Sequence, residues 1–245
     1  MSTPTRTAGI LIIGDEILSG KVRDSNSFYL ATELRKLGVK LMRISVIPDD
    51  TEIIGSVTAE FSRHYDFVFT SGGVGPTHDD VTMEGIAKGF AARLIRHPQL
   101  EDYFRSKYGE QLNAAVLKMA EVPESAEIID FGNMNFPLVL YINIFIFPGI
   151  PEYLRNKFSL IKERFRSSAF HIKRFFLDTR ESDIAEILNA VVAENRDVSF
   201  GSYPVLGNPE YKVIVTAESK SADALGRAVD ELFRRLPGKI VVRVE

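Results

Sequence analysis

Cysteine is absent from the 245 residues. Disulfides, thiolate nucleophiles and cysteine-ligated zinc are therefore excluded. The absence fits a reducing compartment, and a cytoplasmic location is the expectation. A basic excess is missing too: 30 Lys and Arg face 33 Asp and Glu, for a net charge of −3. With no surplus to neutralise a phosphate backbone, nucleic acid is not an expected partner. Long apolar runs are also lacking. The run Ala8–Ile13 is too short for a secretory segment and enters an acidic turn with no small-residue cleavage site. The most apolar stretch, Leu138–Phe147, contains Asn143 and stops at Pro148, so it reads as two short buried strands and not as a membrane span. The four histidines do not cluster. His64, His97 and His171 read as surface or packing residues, and only His78 falls within a candidate site. No Ser-His-Asp arrangement, internal repeat or low-complexity segment is legible.

What is present is an ordinary globular composition, 45% hydrophobic and 26% charged. The length suits one large domain, or a medium domain with a small one. Arg6–Ile13 reads as a strand with a continuous apolar run, ended by Gly14. Ser25–Leu37 reads as a helix that Asp24 or Ser25 can cap, with Phe28, Leu30, Leu34 and Leu37 on its apolar face and Gly38 closing it. A strand over Lys40–Ile47 stops at Pro48. A helix then starts at Asp50 or Thr51, with Ile53, Ile54, Val57 and Phe61 at helical spacing. Strand Phe67–Ser71, the loop GGVGPTHDD and a helix from Thr82 to Phe90 follow. Further helices are expected over Pro98–Tyr108, Gln111–Met119 and Tyr153–Arg166, with a hairpin at Leu138–Ile142 and Ile144–Phe147. This order implies a mainly parallel sheet covered by helices on both faces.

The rhythm changes near Ser167. Strand His171–Leu177, helix Ser182–Glu194, strands Val198–Tyr203 and Tyr211–Ala217, helix Ala222–Leu236 and strand Ile240–Val244 give βαββαβ, the order of a ferredoxin-like split βαβ unit. The expected domains are 1–166 and 170–245, with the break in Arg166–Phe170. The second lacks aromatic strands of the RNA-recognition type and a KH-type GXXG, so its expected role is to cover the cleft or mediate dimerisation. A homo-oligomer is the expected state.

In open α/β sheets, ligands bind beyond the carboxyl ends of the strands. Four unusual loops fall there. In the first, Gly72, Gly73 and Gly75 follow a strand and leave backbone N–H groups unshielded, able to cradle an anion. Thr70, Ser71 and Thr77 add hydroxyls. The loop is neither a Walker A sequence nor a GxGxxG fingerprint. Asp79 and Asp80 beside such a cradle would repel a phosphate, and a divalent cation bridging carboxylate and phosphate removes the conflict. The bland alternative is a solvated pair, with Asp80 capping the next helix. The second loop, Gly14-Asp15-Glu16-Ile17-Leu18-Ser19-Gly20, brings two more carboxylates. The third is Pro48-Asp49-Asp50, where capping accounts for one aspartate. The fourth, Phe147-Pro148-Gly149-Ile150-Pro151-Glu152, is either a backbone approach to a ligand or a rigid turn into a helix, with Pro151 near its start. Topology brings the three acidic or glycine-rich loops, which follow three strands of one parallel sheet, to one edge.

At these loops the chain resembles a known family. TAGILIIGDEILSGKVRDSNSFYLATELRKLGV, SVIPDD, TSGGVGPTHDDVT and FPGIPE, in that order, look like the molybdopterin-binding domain shared by MogA, CinA-like proteins and the N-terminal domain of eukaryotic FAD synthases. FPLVLYINIFIFPGIPE is nearest the synthase type; CinA proteins usually carry a GTAPG segment, and the stretch around Asn133–Pro137 departs from it. The resemblance covers about residues 7–165 and extends loosely to GSYP at 201–204. It implies a three-layer α/β/α sandwich of MogA-like type with a mainly parallel sheet, and a pocket for a pterin or nucleotide with phosphates at Gly72–Gly75. It implies Asp49 and Asp80 as functional acids, Asp15, Glu16 and Asn26 as cleft residues, and Gly149 as the turn lining the pocket. Gly14, Ser71 and Thr77 belong to the same ligand-binding loops, and Asp79 and Asp80 are the expected metal ligands.

Two functions follow from the resemblance. One is a pyrophosphatase dependent on Mg, Mn or Co that cleaves FAD or ADP-ribose to AMP. The other is a non-hydrolytic module that binds molybdopterin or acts in molybdenum-cofactor synthesis. The resemblance covers no FAD-making synthase segment, so synthesis of FAD from FMN and ATP is not expected.

Overall fold

The computed structural model describes residues 5–129 and 136–245. Two compact units divide the chain, residues 1–167 and 168–245. In the first, β1 (Thr7–Ile13) leads through a short helix α1 (Asp15–Leu18) to α2 (Asn26–Lys36), β2 (Lys40–Ile47), α3 (Thr51–His64) and β3 (Phe67–Ser71). Then come α4 (Thr82–Gly89), β4 (Leu94–Arg96), α5 (Pro98–Tyr108), α6 (Ala114–Lys118), β5 (Glu121–Pro123), β6 (Glu127–Ile129), β7 (Leu138–Tyr141), β8 (Ile144–Phe147) and α7 (Pro151–Ile161).

The main sheet has the order β2-β1-β3-β8-β7-β6. Strands β2, β1, β3 and β8 run parallel, while β7 is antiparallel to β8 and β6 antiparallel to β7. β1 is an interior strand between β2 and β3, and its unbroken apolar run is buried because helices cover both faces. One face packs Ile10, Ile12, Leu30, Leu34, Phe69 and Phe158 beneath α2 and α7. The other packs Leu11, Ile13, Ile54, Phe61, Ile86 and Phe104 beneath α3, α4 and α5. This is the three-layer α/β/α arrangement with a mainly parallel sheet.

Local signals held where the pattern was long. Asp50 caps α3 by accepting from the Ile53 N–H at 2.9 Å. Asp24, not Ser25, supplies the side chain at the start of α2, accepting from the Asn26 and Ser27 N–H groups at 2.9 and 3.1 Å. Other expectations need correction. Phe28 does not face the core but is 77% exposed. The helix expected over Gln111–Met119 begins only at Ala114: Gly109 turns the chain at φ +50°, and Asn113 caps the restart by accepting from the Val116 N–H. The last helix starts at Pro151 and ends at Ile161, before a 3-10 turn over Lys162–Phe165. That tighter turn buries Phe165 against Phe67, Phe69 and Phe145, with ring centroids 4.8–5.1 Å apart. Strands β4, β5 and β6 and helix α1 were not expected, since three or four residues carry no readable period.

The second unit contains β9 (His171–Leu177), α8 (Glu181–Glu194), β10 (Ser199–Pro204), β11 (Val213–Ser219), α9 (Ala222–Arg235) and β12 (Val241–Val244). Its sheet order is β10-β11-β9-β12, antiparallel throughout. β9 and β10 are thus parallel with β11 between them, the split βαβ arrangement. Alternate residues of β11 are buried, and Phe175, Leu177, Val213 and Val215 pack with Ile184, Val191 and Leu232.

Candidate functional site

Four parallel strands end at one edge of the main sheet, and each is followed by one of the loops singled out in the sequence. Backbone hydrogen bonds bind these loops together. The Gly14 N–H donates to Ile47 O at 3.1 Å, and the Gly72 N–H donates to Phe147 O at 3.2 Å. Gly72 is required by space: with φ +114°, a Cβ there would lie 2.0 Å from Ile13 O. Gly73, at φ +63°, would place a Cβ 2.4 Å from Thr82 Oγ1 and 3.3 Å from Asp49 Oδ1. Thr82, buried at the start of α4, holds this turn from beneath. Its hydroxyl donates to Gly72 O at 2.9 Å and its N–H to Gly73 O at 3.0 Å.

The acids have distinct environments. Asp49 Oδ2 accepts from the Asp15 N–H at 2.9 Å, while Oδ1 lies toward Gly73. Partial burial holds its carboxyl above the ordinary carboxylate range; the Asp15 N–H opposes this, and the charges of Glu16, Asp15 and Asp79 reinforce it. Asp80 accepts from the Thr77 N–H at 2.9 Å and from the Thr77 hydroxyl through the same Oδ2. It does not cap α4, whose N-cap residue Val81 receives no side-chain bond. Lys118 donates to Thr77 O at 2.7 Å, tying this loop to the end of α6. Asp79 points outward, 62% exposed beside His78. The Thr77 hydroxyl and its own backbone N–H lower its carboxyl below the ordinary value, with help from His78 and Lys118.

A cavity of about 750 Å³ opens over these loops, within the range of roughly 300–1,000 Å³ typical of small-molecule sites. Glu16, Gly72, Gly73, Gly75, Asp80 and Gly149 all line it. Asn26 and Ser71 line instead an adjoining recess of about 60 Å³, which shares Glu16 and Gly149. Asn26 is buried and bridges two loops: its Nδ2 donates to Ser71 Oγ at 2.9 Å and to Gly149 O at 2.7 Å. Its Oδ1 is buried without a hydrogen-bond partner among the described residues. Asp15, Asp49, Thr77 and Asp79 stand behind or beside the cavity wall. Among the described residues, no group of three or more Asp, Glu or His side chains converges as a ready cation site. Residues 133–135 of the stretch that departs from GTAPG lie outside the described residues.

Much of the wall was missed in the sequence. Phe104 and Tyr108 of α5, Met119, Phe136, and Tyr153 and Leu160 of α7 give it an apolar, aromatic side, and Lys107 and Lys157 belong to the same wall. The Phe104 and Phe136 rings are 5.4 Å apart. A signal existed: Phe104, Lys107 and Tyr108, and Tyr153, Lys157 and Leu160, recur at helical spacing and so share helix faces. Without the fold, those faces read as ordinary core. No helix among the described residues is long and apolar enough to cross a membrane.

Comparison with known proteins agrees with this geometry. Residues 9–167 match the family model described as "Probable molybdopterin binding domain", and residues 169–245 match "FAD synthase, middle domain". A protein of Archaeoglobus fulgidus is 36% identical over 94% of this chain and 98% of its own length. A "Probable FAD synthase" of Caenorhabditis elegans is 35% identical over 96% of this chain, which spans only 51% of that relative. Among solved structures, the protein CinA of Thermoplasma acidophilum, described as of unknown function, superimposes with a TM-score of 0.61 at 28% identity, covering 66% of this chain and 98% of that one.

Proposed function

The chain belongs to the molybdopterin-binding-domain family, CinA-like and with FAD-synthase relatives, and on that footing we propose that it is a divalent-cation-dependent nucleotide pyrophosphatase that cleaves FAD or ADP-ribose and releases AMP. The observation that carries this reading is the composition of one cavity. Gly72, Gly73 and Gly75 offer a backbone cradle for phosphate, Glu16 and Asp80 stand beside it, and aromatic side chains form a wall for a flat ring. The name borne by the Caenorhabditis relative, a FAD synthase, supports a dinucleotide as ligand.

The donor set fits a hard divalent cation. Magnesium-type sites commonly use one or two carboxylates and complete their shell with substrate phosphates and water. Asp80, with Glu16 or Asp79, would hold such an ion, which would supply the positive charge that lets carboxylate and phosphate oxygens share the site. The chain's own residues do the rest. The Gly72–Gly75 amides orient the pyrophosphate. Asp49, whose carboxyl is held above the ordinary range, takes the proton of the attacking water. The water oxygen bonds to one phosphorus, the P–O bond to the bridging oxygen breaks, and its electron pair leaves on the departing phosphate. The aromatic wall excludes bulk water from the ring end.

The test is incubation with FAD or ADP-ribose and magnesium, manganese or cobalt, with AMP measured by chromatography. AMP release that a chelator abolishes is expected. A second reading, a binding module for a pterin or nucleotide without turnover, is favoured by the lack of three converging acids among the described residues. Stoichiometric ligand binding with no AMP from either substrate would establish it in place of the first.

A further inference from the structure

Both carboxylates that line the cavity lie over a glycine. A Cβ on Gly14 would stand 2.5 Å from each carboxylate oxygen of Glu16. At Gly75 the three atoms nearest to such a Cβ all belong to the Asp80 carboxyl: Oδ2 at 2.6 Å, and Cγ and Oδ1 at 3.1 Å. Gly75 differs here from its neighbours in the loop. Gly72 and Gly73 have φ of +114° and +63°, so their backbone alone calls for glycine. Gly75 has no positive φ. What the fold asks of this position is therefore space, and the Asp80 carboxyl fills it. The two oxygens of that carboxyl are used differently. Oδ2 accepts from the Thr77 N–H at 2.9 Å and from the Thr77 hydroxyl, and Lys118 anchors the same turn through Thr77 O at 2.7 Å. Oδ1 accepts no hydrogen bond among the described residues, and it is not buried. One oxygen is fixed and the other is open, which suits a carboxylate that takes a hard cation.

Resting on the reading that this cavity takes a divalent cation, we propose that Gly75 is a positioning residue for Asp80: its missing side chain lets the carboxyl lie against the loop, with Oδ2 held by Thr77 and Oδ1 free for the cation. A methyl at this position would push the carboxyl off the backbone and away from Thr77. Groups that orient a metal ligand govern affinity although they never touch the metal. The role differs from that of an amide cradle. A cradle needs glycine so that an anion can approach the N–H groups, whereas this role needs glycine so that the protein's own carboxylate can.

The test compares four whole chains: unmodified, Gly75→Ala, Asp80→Ala and the double variant. Manganese affinity is read from the electron paramagnetic resonance signal of the free ion, with no nucleotide present, and the unfolding midpoint is read by heating. Gly75→Ala is expected to weaken manganese binding by about 10- to 100-fold, the range for groups that orient a metal ligand. The double variant is expected to bind no more weakly than Asp80→Ala alone. Any fall in midpoint caused by Gly75→Ala should disappear when Asp80 is already alanine, because the clash is with that carboxyl. A glycine that served only anion approach would leave manganese affinity unchanged. One that served the backbone would cost the same with or without Asp80. Either result overturns the proposal, as does an unmodified chain that binds no manganese, or a Gly75→Ala chain whose failure to fold Asp80→Ala does not relieve. Nucleotide cleavage plays no part in these readouts, so the two readings fail separately. Coupled manganese binding without AMP release leaves Gly75 in its role and removes only the hydrolase. AMP release by a chain that shows no such coupling does the reverse.

Discussion

Asp49 Oδ2 accepts a hydrogen bond from the backbone N–H of Asp15 at 2.9 Å, across 34 positions of sequence. This bond joins the loops after β1 and β2 and fixes one oxygen of Asp49, leaving Oδ1 toward Gly73. The same carboxyl is half-buried among other acids, and its raised pKa has a sign that can be tested. A carboxyl whose folded pKa lies above its unfolded value stabilises the fold below the unfolded pKa, and this stabilisation is lost as pH rises through the folded pKa. At neutral pH the ionised Asp49 is thus a liability. Asp49→Asn keeps an acceptor for the Asp15 N–H and removes the charge. A higher thermal midpoint at pH 7 is expected, with little gain at pH 3 and with AMP release lost. A lower midpoint at pH 7 would show that the hydrogen bond outweighs burial and repulsion.

Asp80→Asn separates function from fold. The Asn oxygen can still accept from the Thr77 N–H, and α4 does not depend on residue 80 for its cap. Turnover and cation-dependent ligand binding should fall by at least tenfold while the unfolding midpoint moves by less than about 1 kcal/mol, as for a substitution outside the core. Undiminished AMP release would remove Asp80 from the site.

Gly73→Ala should damage both. The residue sits at φ +63°, and the new methyl would collide with Thr82 Oγ1. A left-handed backbone at a residue with a Cβ costs about 1–2 kcal/mol, and the contact adds to it. Denaturant titration checks the stability. Ligand calorimetry should show weaker nucleotide binding, because the methyl shields the amides of the cradle. Full affinity in a folded Gly73→Ala protein would move the phosphate elsewhere.

Ile142→Gly should act in the opposite direction on stability. The pairing of Tyr141 with Ile144 closes a two-residue hairpin loop, and Ile142 holds its first position at φ +58°. That position favours glycine in such hairpins, and a β-branched residue there is strained. Ile142 is exposed, so little packing is lost. A gain of about 1 kcal/mol is expected from relief of the left-handed backbone, reduced by the added freedom of the unfolded chain. AMP release should not change, because this turn lies at the edge of the sheet opposite Phe147 and Pro148. A destabilised variant would show that Ile142 makes contacts worth more than its strain.

Local chemistry made much of this molecule readable in sequence. The unbroken apolar runs of β1 and β3, the cap at Asp50 and the stop at Gly38 each depend on neighbours within a few residues, so strand and helix identity followed. The order of those elements then placed the glycine-rich and acidic loops at one sheet edge, since parallel strands with right-handed crossovers share their carboxyl ends. The short strands β4, β5 and β6 were not readable, because three residues have no period. Nor was the exposure of Phe28, because an apolar residue on a helix face does not say what covers it. The same limit hid the aromatic wall and Lys157. Their spacing marks a helix face, but only the packing of α5 and α7 decides whether that face meets core or cavity. Residue type and order therefore determined the fold class and the edge where the loops gather, whereas the division of Asp15, Asp49, Asp79 and Asp80 among hydrogen bond, burial and solvent was decided by tertiary contacts between residues far apart in the chain.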